Sequence, residues 1–326
     1  MSKIGKTLLM FAVGLLMTAC SSVMAGGAVA PSGNTVSEEM SLSNFDKIVV
    51  NGSFEVTYET GNAAGAVVTG SDNLVPLVNV EVNGNTLSIG FKRGTSVSRN
   101  DVEVHVVAPS VTGYELNGSG DLSVVSTLKM PSAAIKAVLN GSGDIEFYSS
   151  IECQSFTGTV NGSGDLALSS LLRASKGVDL TVNGSGDIDA DAVKCAELDA
   201  AVNGSGDLSV NTVEGKLVTT KLAGSGDVYC DGVDAASVVA RLLGSGDINL
   251  GGKSASATFE VSTSGCIDAE ELVADGVFAT VSGSGDINCH ALKTLEATIN
   301  GSGEICYEGS PRVTKHGRNS RNVYRE

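Results

Sequence analysis

From about residue 111 to residue 306, apolar and polar side chains alternate on both sides of one recurring turn, written in full as Asn-Gly-Ser-Gly-Asp. One and three residues after the acid stand pairs such as Leu122 and Val124, Ile145 and Phe147, Leu166 and Leu168, or Ile248 and Leu250. Five and seven residues before it stand Leu180 and Val182, or Phe259 and Val261. A period of two predicts strands, with one face inward on each arm. Aligned on the acid position, the turns fall at Asp121, Asp144, Asp165, Asp187, Asp207, Asp227, Asp247, Cys266, Asp286 and Glu304, 18 to 23 residues apart. The serine two residues earlier, from Ser119 to Ser302, is invariant, whereas the leading glycine is replaced once, by Thr263.

Ten free-standing hairpins would each be marginal in water. Stacking removes the difficulty: if each repeat is one coil, every strand bonds to its counterparts above and below, about 4.8 Å away. Further apolar positions midway along the repeat, Val193, Val213, Val233, Leu272 and Leu292, predict a third side. The expected fold is all-β: a single-chain parallel β-helix (β-solenoid), right-handed as parallel crossovers are, with about 20 residues per coil. In the corner, the glycines are expected to supply backbone angles closed to other residues and to leave room for the corners above and below. Asn117, Asn140, Asn161, Asn183, Asn203 and Asn300 stand where stacked amides can bond to one another or to the corner backbone.

The remaining segments follow from this frame. Residues 1–19, with Lys3 and Lys6 ahead of an apolar run, read as a lipoprotein signal segment ending at Cys20, the lipidation site, with cleavage after Ala25 as the competing reading. Residues 20–40 read as a tether. Residues 41–110, where "IVVNGSFEV" and "AVVTGSDNL" are looser corners, read as irregular N-terminal coils or a cap, in preference to a separate sandwich. Residues 111–306 are the regular repeat, and 307–326 a basic C-terminal tail or cap with a net charge of +3.

Composition narrows the function classes. The 41 glycines, five prolines and absent tryptophan fit a thin core of small aliphatic side chains. The formal charge of −16 disfavours a nucleic-acid partner, which needs a basic face. An exported chain of this kind meets the membrane through its lipid anchor alone. The acid column Asp121, Asp144, Asp165, Asp187, Asp207, Asp227, Asp247, Asp286 and Glu304 is the main chemical candidate. It reads first as corner-stabilising carboxylates accepting local backbone N–H bonds, and second as a Ca²⁺ column, since some secreted solenoids bind calcium at Gly-rich corners of nine-residue period. No cofactor is required. Beyond Cys20, the six cysteines do not fall in adjacent matching positions; Cys153, Cys195, Cys230 and Cys289 read as buried free thiols, and Cys306 as outward. His105 alternates outward, and no base accompanies the serine column.

The stretches "FDKIVVNGSFEVTYETG" (45–61), "VEVNGNTLSIGF" (80–91), the repeated corners and "YEGSPRV" (307–313) resemble the bacterial family called putative auto-transporter adhesin, head GIN domain. The resemblance implies a β-helix on an exported, often lipid-anchored protein, and brings no catalytic or binding residues with it. The chain departs from the family at "KHGRNSRNVYRE", where another glycine-serine corner often follows. The expectation is a non-enzymatic cell-envelope or cell-surface lipoprotein, an adhesin or ligand-binding rod whose partner is a surface glycan or protein, on an unspecified side of the outer membrane. A periplasmic scaffold is the alternative, and a polysaccharide-acting β-helix enzyme a more distant one.

Overall fold

The computed structural model describes residues 27–326, so the signal segment 1–19, the lipidation site Cys20 and the alternative cleavage after Ala25 lie outside the described residues. The chain winds into a β-solenoid of about 11 turns with about 20 residues per coil. Its strands form one continuous sheet, and the described residues hold no α-helix, only short 3₁₀ turns. Parallel pairing is in register from coil to coil: Leu180 faces Ala200, Ala200 faces Thr220, Thr220 faces Ala240 and Ala240 faces Phe259.

Three faces can be followed. Face A carries the arm before the corner, as in Gly177–Val182 and Glu197–Val202; face B carries the arm after it, as in Asp121–Val124 and Ile145–Phe147. Face C begins only at Leu128, whose partners down the stack are Ile151 and then Leu172. Where the third side opens, Tyr58, Tyr114, Phe147 and Phe156 pack in series with ring centroids 5.1–5.9 Å apart, filling the widening lumen. Both buried phenols are satisfied, Tyr114 donating to the Val111 carbonyl and Tyr58 to that of Ala108. Along the regular coils nearly all the inward positions, among them Ile188, Ala190, Leu208 and Val210, are apolar and buried.

Of the two reasons expected for the corner glycines, one holds. None in the ten regular corners has a positive φ; among the described residues that conformation is confined to Gly33, Gly52 of the looser corner, Gly84, Gly94, Gly252, Gly309 and Gly317. The requirement is close approach: a Cβ on Gly204 would lie 1.8 Å from the Gly184 carbonyl oxygen, and one on Gly224 would lie 1.7 Å from that of Gly204. Thr263 is tolerated in this column with its hydroxyl donating to the Gly244 carbonyl.

The early region departs from the sequence reading in instructive ways. The tether expected over 20–40 is not free chain in its described part. Val29 bridges to Val97, and Thr35–Ser41 pairs antiparallel with Gly65–Ser71. That strand is almost wholly exposed, so it had no apolar alternation to betray it; its pairing rests on backbone groups. Residues 41–110 mix coils and cap. Lys47–Gly52 and Glu55–Thr60 belong to the parallel stack, pairing with Gly113–Gly118 and Asp121–Val124, while Val78–Asn83 closes the top by antiparallel pairing with Thr86–Phe91. Stack order therefore differs from chain order, because Glu103–Ala108 lies above Glu55–Thr60. At the other end, residues 317–322 imitate a corner: the Asn319 and Asn322 amides donate to the Gly301 and Gly303 carbonyls, and Val323–Arg325 returns to face B.

One third-side residue was misplaced. Val193, Val213, Val233 and Leu272 are buried, but Leu292 is 48% exposed. The coil from Asp286 to Glu304 is the shortest, and its register slips so that His290 and Ala291 face Val273 and Ala274, pushing Leu292 outward.

Gly204→Ala should destabilise the fold by about 2–3 kcal/mol, the cost of overpacking against unyielding backbone. Gly177→Ala, whose new Cβ would meet its nearest atom at 3.4 Å, should be nearly neutral, and urea unfolding of the two variants compares them directly.

Candidate ligand-binding face and its ladders

Because equivalent residues recur at the strand spacing, outward side chains form columns, and two of these are hydrogen-bonded ladders. On the approach to the corner, Asn140 donates its amide to Asn117 at 2.8 Å, Asn161 to Asn140 at 2.8 Å, Asn183 to Asn161 at 2.9 Å and Asn203 to Asn183 at 3.0 Å. Asn117 reaches up to Asn51, which extends the ladder into the irregular region. It does not reach Asn300, because Ala223, Leu243, Ser262 and Ser282 intervene.

The acid column is the second ladder, and its bonds run between coils. The backbone N–H of Asp144 donates to the Asp121 carboxylate, Asp165 to Asp144, Asp187 to Asp165, Asp207 to Asp187, Asp227 to Asp207 and Asp247 to Asp227, at 2.7–3.1 Å. Cys266 N–H donates to Asp247, and Glu304 N–H to Asp286. The expected partner was the acid's own corner; the observed one is the next coil. These charge-assisted bonds offset the repulsion of carboxylates about 4.8 Å apart. Cys266 offers no carboxylate to Asp286, so the ladder breaks once. At the far end the Tyr324 hydroxyl closes it, donating to Glu304 at 2.6 Å. Among the described residues no group of three or more His, Cys, Asp or Glu side chains converges as a metal cage.

Register lengthens the acid column beyond the sequence reading. Glu55 faces both Asp121 and Glu103, so Glu103 and Glu55 continue it upward. Beside it, His105, Thr57, Ser123 and Glu146 form a second outward column. The two columns and Tyr148 line a groove of about 500 Å³ containing Glu55, Glu103, Asp121, Asp144 and Glu146. Tyr148 is 50% exposed, and the neighbouring Glu146 carboxylate holds its phenol above the ordinary value, as a hydrogen-bond donor at neutral pH. His105 faces outward as expected, 3.4 Å from Glu59. Glu55 and Glu103 were missed because their corners, "NGSFE" and "RNDVE", lack the second glycine and follow a stack order that chain order hides.

The six cysteines of the described residues are free. Burial pushes the thiols of Cys153 and Cys195 up to about 11 and those of Cys230 and Cys289 to about 12; burial, then the flanking carboxylates, does the same for Cys266. Cys306 points outward, yet its thiol is also raised by partial burial. Thiolate chemistry at neutral pH is therefore suppressed at all six.

Ladders on a rigid stack, with one groove offering an aromatic ring, hydroxyls and carboxylates, define a β-solenoid whose outward faces are its chemistry. The chain belongs to the family described as putative auto-transporter adhesin, head GIN domain, whose pattern matches residues 44–232 and 211–311. A crystal structure of a putative adhesin from Parabacteroides distasonis is similar over 92% of this chain and 98% of its own, with 20% identity and a TM-score of 0.54. A putative adhesin from Parabacteroides merdae (18% identity, TM-score 0.44) covers 92% of this chain and 99% of its own. A putative lipid binding protein from Parabacteroides distasonis (22%, TM-score 0.39) covers 92% and 100%. No curated protein matches.

Two outcomes test the ladder. Cys266→Asn, which supplies an acceptor to the Asp286 N–H without adding charge, should stabilise by about 1 kcal/mol in thermal or urea unfolding. Asp189, outward beside the column, is pushed above the usual aspartate range by burial and then by Asp187, Asp165 and Asp207, with the Ser209 hydroxyl acting the other way. The folded chain therefore keeps this proton after the unfolded chain has lost it, and stability falls as pH rises from the ordinary aspartate value through the raised one. Asp189→Asn should be more stable than the parent at pH 7, with the difference vanishing near pH 3, as unfolding at the two pH values would read out.

Proposed function

We propose that this protein is a non-catalytic binding rod of the cell envelope, exported behind residues 1–19, held to the outer membrane by lipid on Cys20, and engaging a surface glycan or protein with face B. Membership in a family described as auto-transporter adhesins fits an exported or surface protein. The observation that carries the reading is the groove around Tyr148: a half-exposed ring for stacking on a sugar, with carboxylates and hydroxyls of fixed spacing to take sugar hydroxyls. No Lys or Arg lines it, so neutral or amino sugars suit it and acidic ones are repelled.

Tyr148→Ala should weaken binding at least about tenfold for whichever neutral or amino glycan the purified chain retains on a glycan array. If no glycan and no surface protein binds, the reading fails. Protease access to the repeat on intact cells, with lysed cells as control, separates an outward-facing adhesin from a periplasmic scaffold. A turnover screen on the bound glycan addresses the enzymatic alternative.

A further inference from the structure

The two ends of the rod carry opposite charge. Among the described residues, uppermost on face B is Thr35–Ser41, with Glu38 and Glu39 exposed and no cation in the strand; uppermost on face A is Val78–Asn83, with Glu81. Three cations lie in the turns near this end: Lys92 and Arg93 after Thr86–Phe91, with Lys92 turned onto the Pro76 carbonyl, and the exposed Arg99 beside Asp101. Lowest on face A is Arg312–His316, and lowest on face B is Val323–Arg325. These two strands and the corner between them hold Arg312, Lys315, Arg318, Arg321 and Arg325, all exposed. Among the described residues none of the five forms an ion pair with a carboxylate; His316 lies by Glu296 of the coil above. Residues 307–326 sum to +3, leaving −19 for the rest of the chain.

An open solenoid end is a sheet edge, and charge on an edge usually blocks pairing with another chain. That protection requires like signs on the surfaces that would meet. Here the surfaces that meet when one rod stands on another have opposite signs, and on each face the lowest strand of one copy would continue the uppermost strand of the next. We infer that this chain associates head to tail with a second copy, the basic final coil of one molecule docking on the acidic Thr35–Ser41 and Val78–Asn83 edges of another. Such a contact is heterologous and does not close, so it propagates into short axial chains. Lys315 belongs to the coil itself, its ammonium donating to the Val323 carbonyl across the end of the lumen, and the docking charges are the four arginines. The association is independent of what the Tyr148 groove binds.

Sedimentation velocity on the full chain carrying Cys20→Ser, so that no acyl chain drives association, should show concentration-dependent species larger than a monomer at 20 mM salt and a monomer at 0.5 M, where the Debye length falls to a few ångströms. Reversing the tip with Arg312→Glu, Arg321→Glu and Arg325→Glu should raise the midpoint concentration at least about tenfold, since each lost opposite-charge contact weakens a docked state. Adding Glu38→Lys and Glu39→Lys to that same chain should restore association. Thermal unfolding confirms that the variants are folded, as Glu38, Glu39, Arg312, Arg321 and Arg325 are all exposed. A parent chain that stays monomeric at 100 μM in low salt overturns the inference, as does a tip-reversed chain that associates like the parent. A monomeric parent whose tip binds a polyanionic glycan, with binding lost on reversal, overturns it in favour of an anion dock.

Discussion

The rest of the structure depends on how closely one corner can lie on the next. A carbonyl oxygen of the coil above occupies the space where a side chain would begin, as at Gly184 over Gly204. Loss of Cβ allows it at every repeated corner but that of Thr263, and once allowed it fixes the axial spacing for everything attached to the corner. The Ser205 N–H then reaches the Gly184 carbonyl at 2.9 Å, the Asp207 N–H reaches the Asp187 carboxylate at 2.7 Å, and the arms on either side fall into register without further instruction. The repeat is thus written around its most crowded point, and the alternating strands follow from it.

This explains what could be read from the chain and what could not. Period-two alternation about an invariant Ser-Gly reveals strands, coil length and inward positions, because each depends on residues close in sequence. The direction of the acid bonds was misjudged because one sequence shows a corner and its own neighbours, whereas the nearest N–H to Asp187 belongs to a residue 20 positions later. The same limit hid Glu55 and Glu103, which join the column only because Glu103–Ala108 stacks above Glu55–Thr60. Leu292 shows the converse failure: its local pattern is that of Leu272, and a shortened coil, which is a property of spacing between corners, turns it outward.

The polar columns differ in what they contribute. Amides in the asparagine ladder donate and accept without charge, and the ladder can stop at Ala223 while the strands continue beneath it. Carboxylates in the acid ladder repel one another, and those from Asp121 to Asp247, and Asp286, are held by the N–H of the following coil, so the column survives as a line of negative charge along one edge. That line is why the groove at its upper end is acidic: Glu103, Glu55, Asp121 and Asp144 are the column itself, carried past a place where Tyr148 and Glu146 stand beside it. A binding surface here is a local elaboration of the stacking device.

Charge on a repeat protein also carries direction. If every coil had the average composition, the two ends would match and stacked copies would repel. The final coil breaks the average with five cations in a stretch that replaces the glycine corner by Gly317–Asn322 and its side-chain amides, so the residues that end the repeat are also those that change its sign. The altered corner and most of the change in polarity come from the same twelve residues, "KHGRNSRNVYRE", which hold four of the five cations, and substitutions there alter how a rod meets its neighbour while the coils above keep their packing.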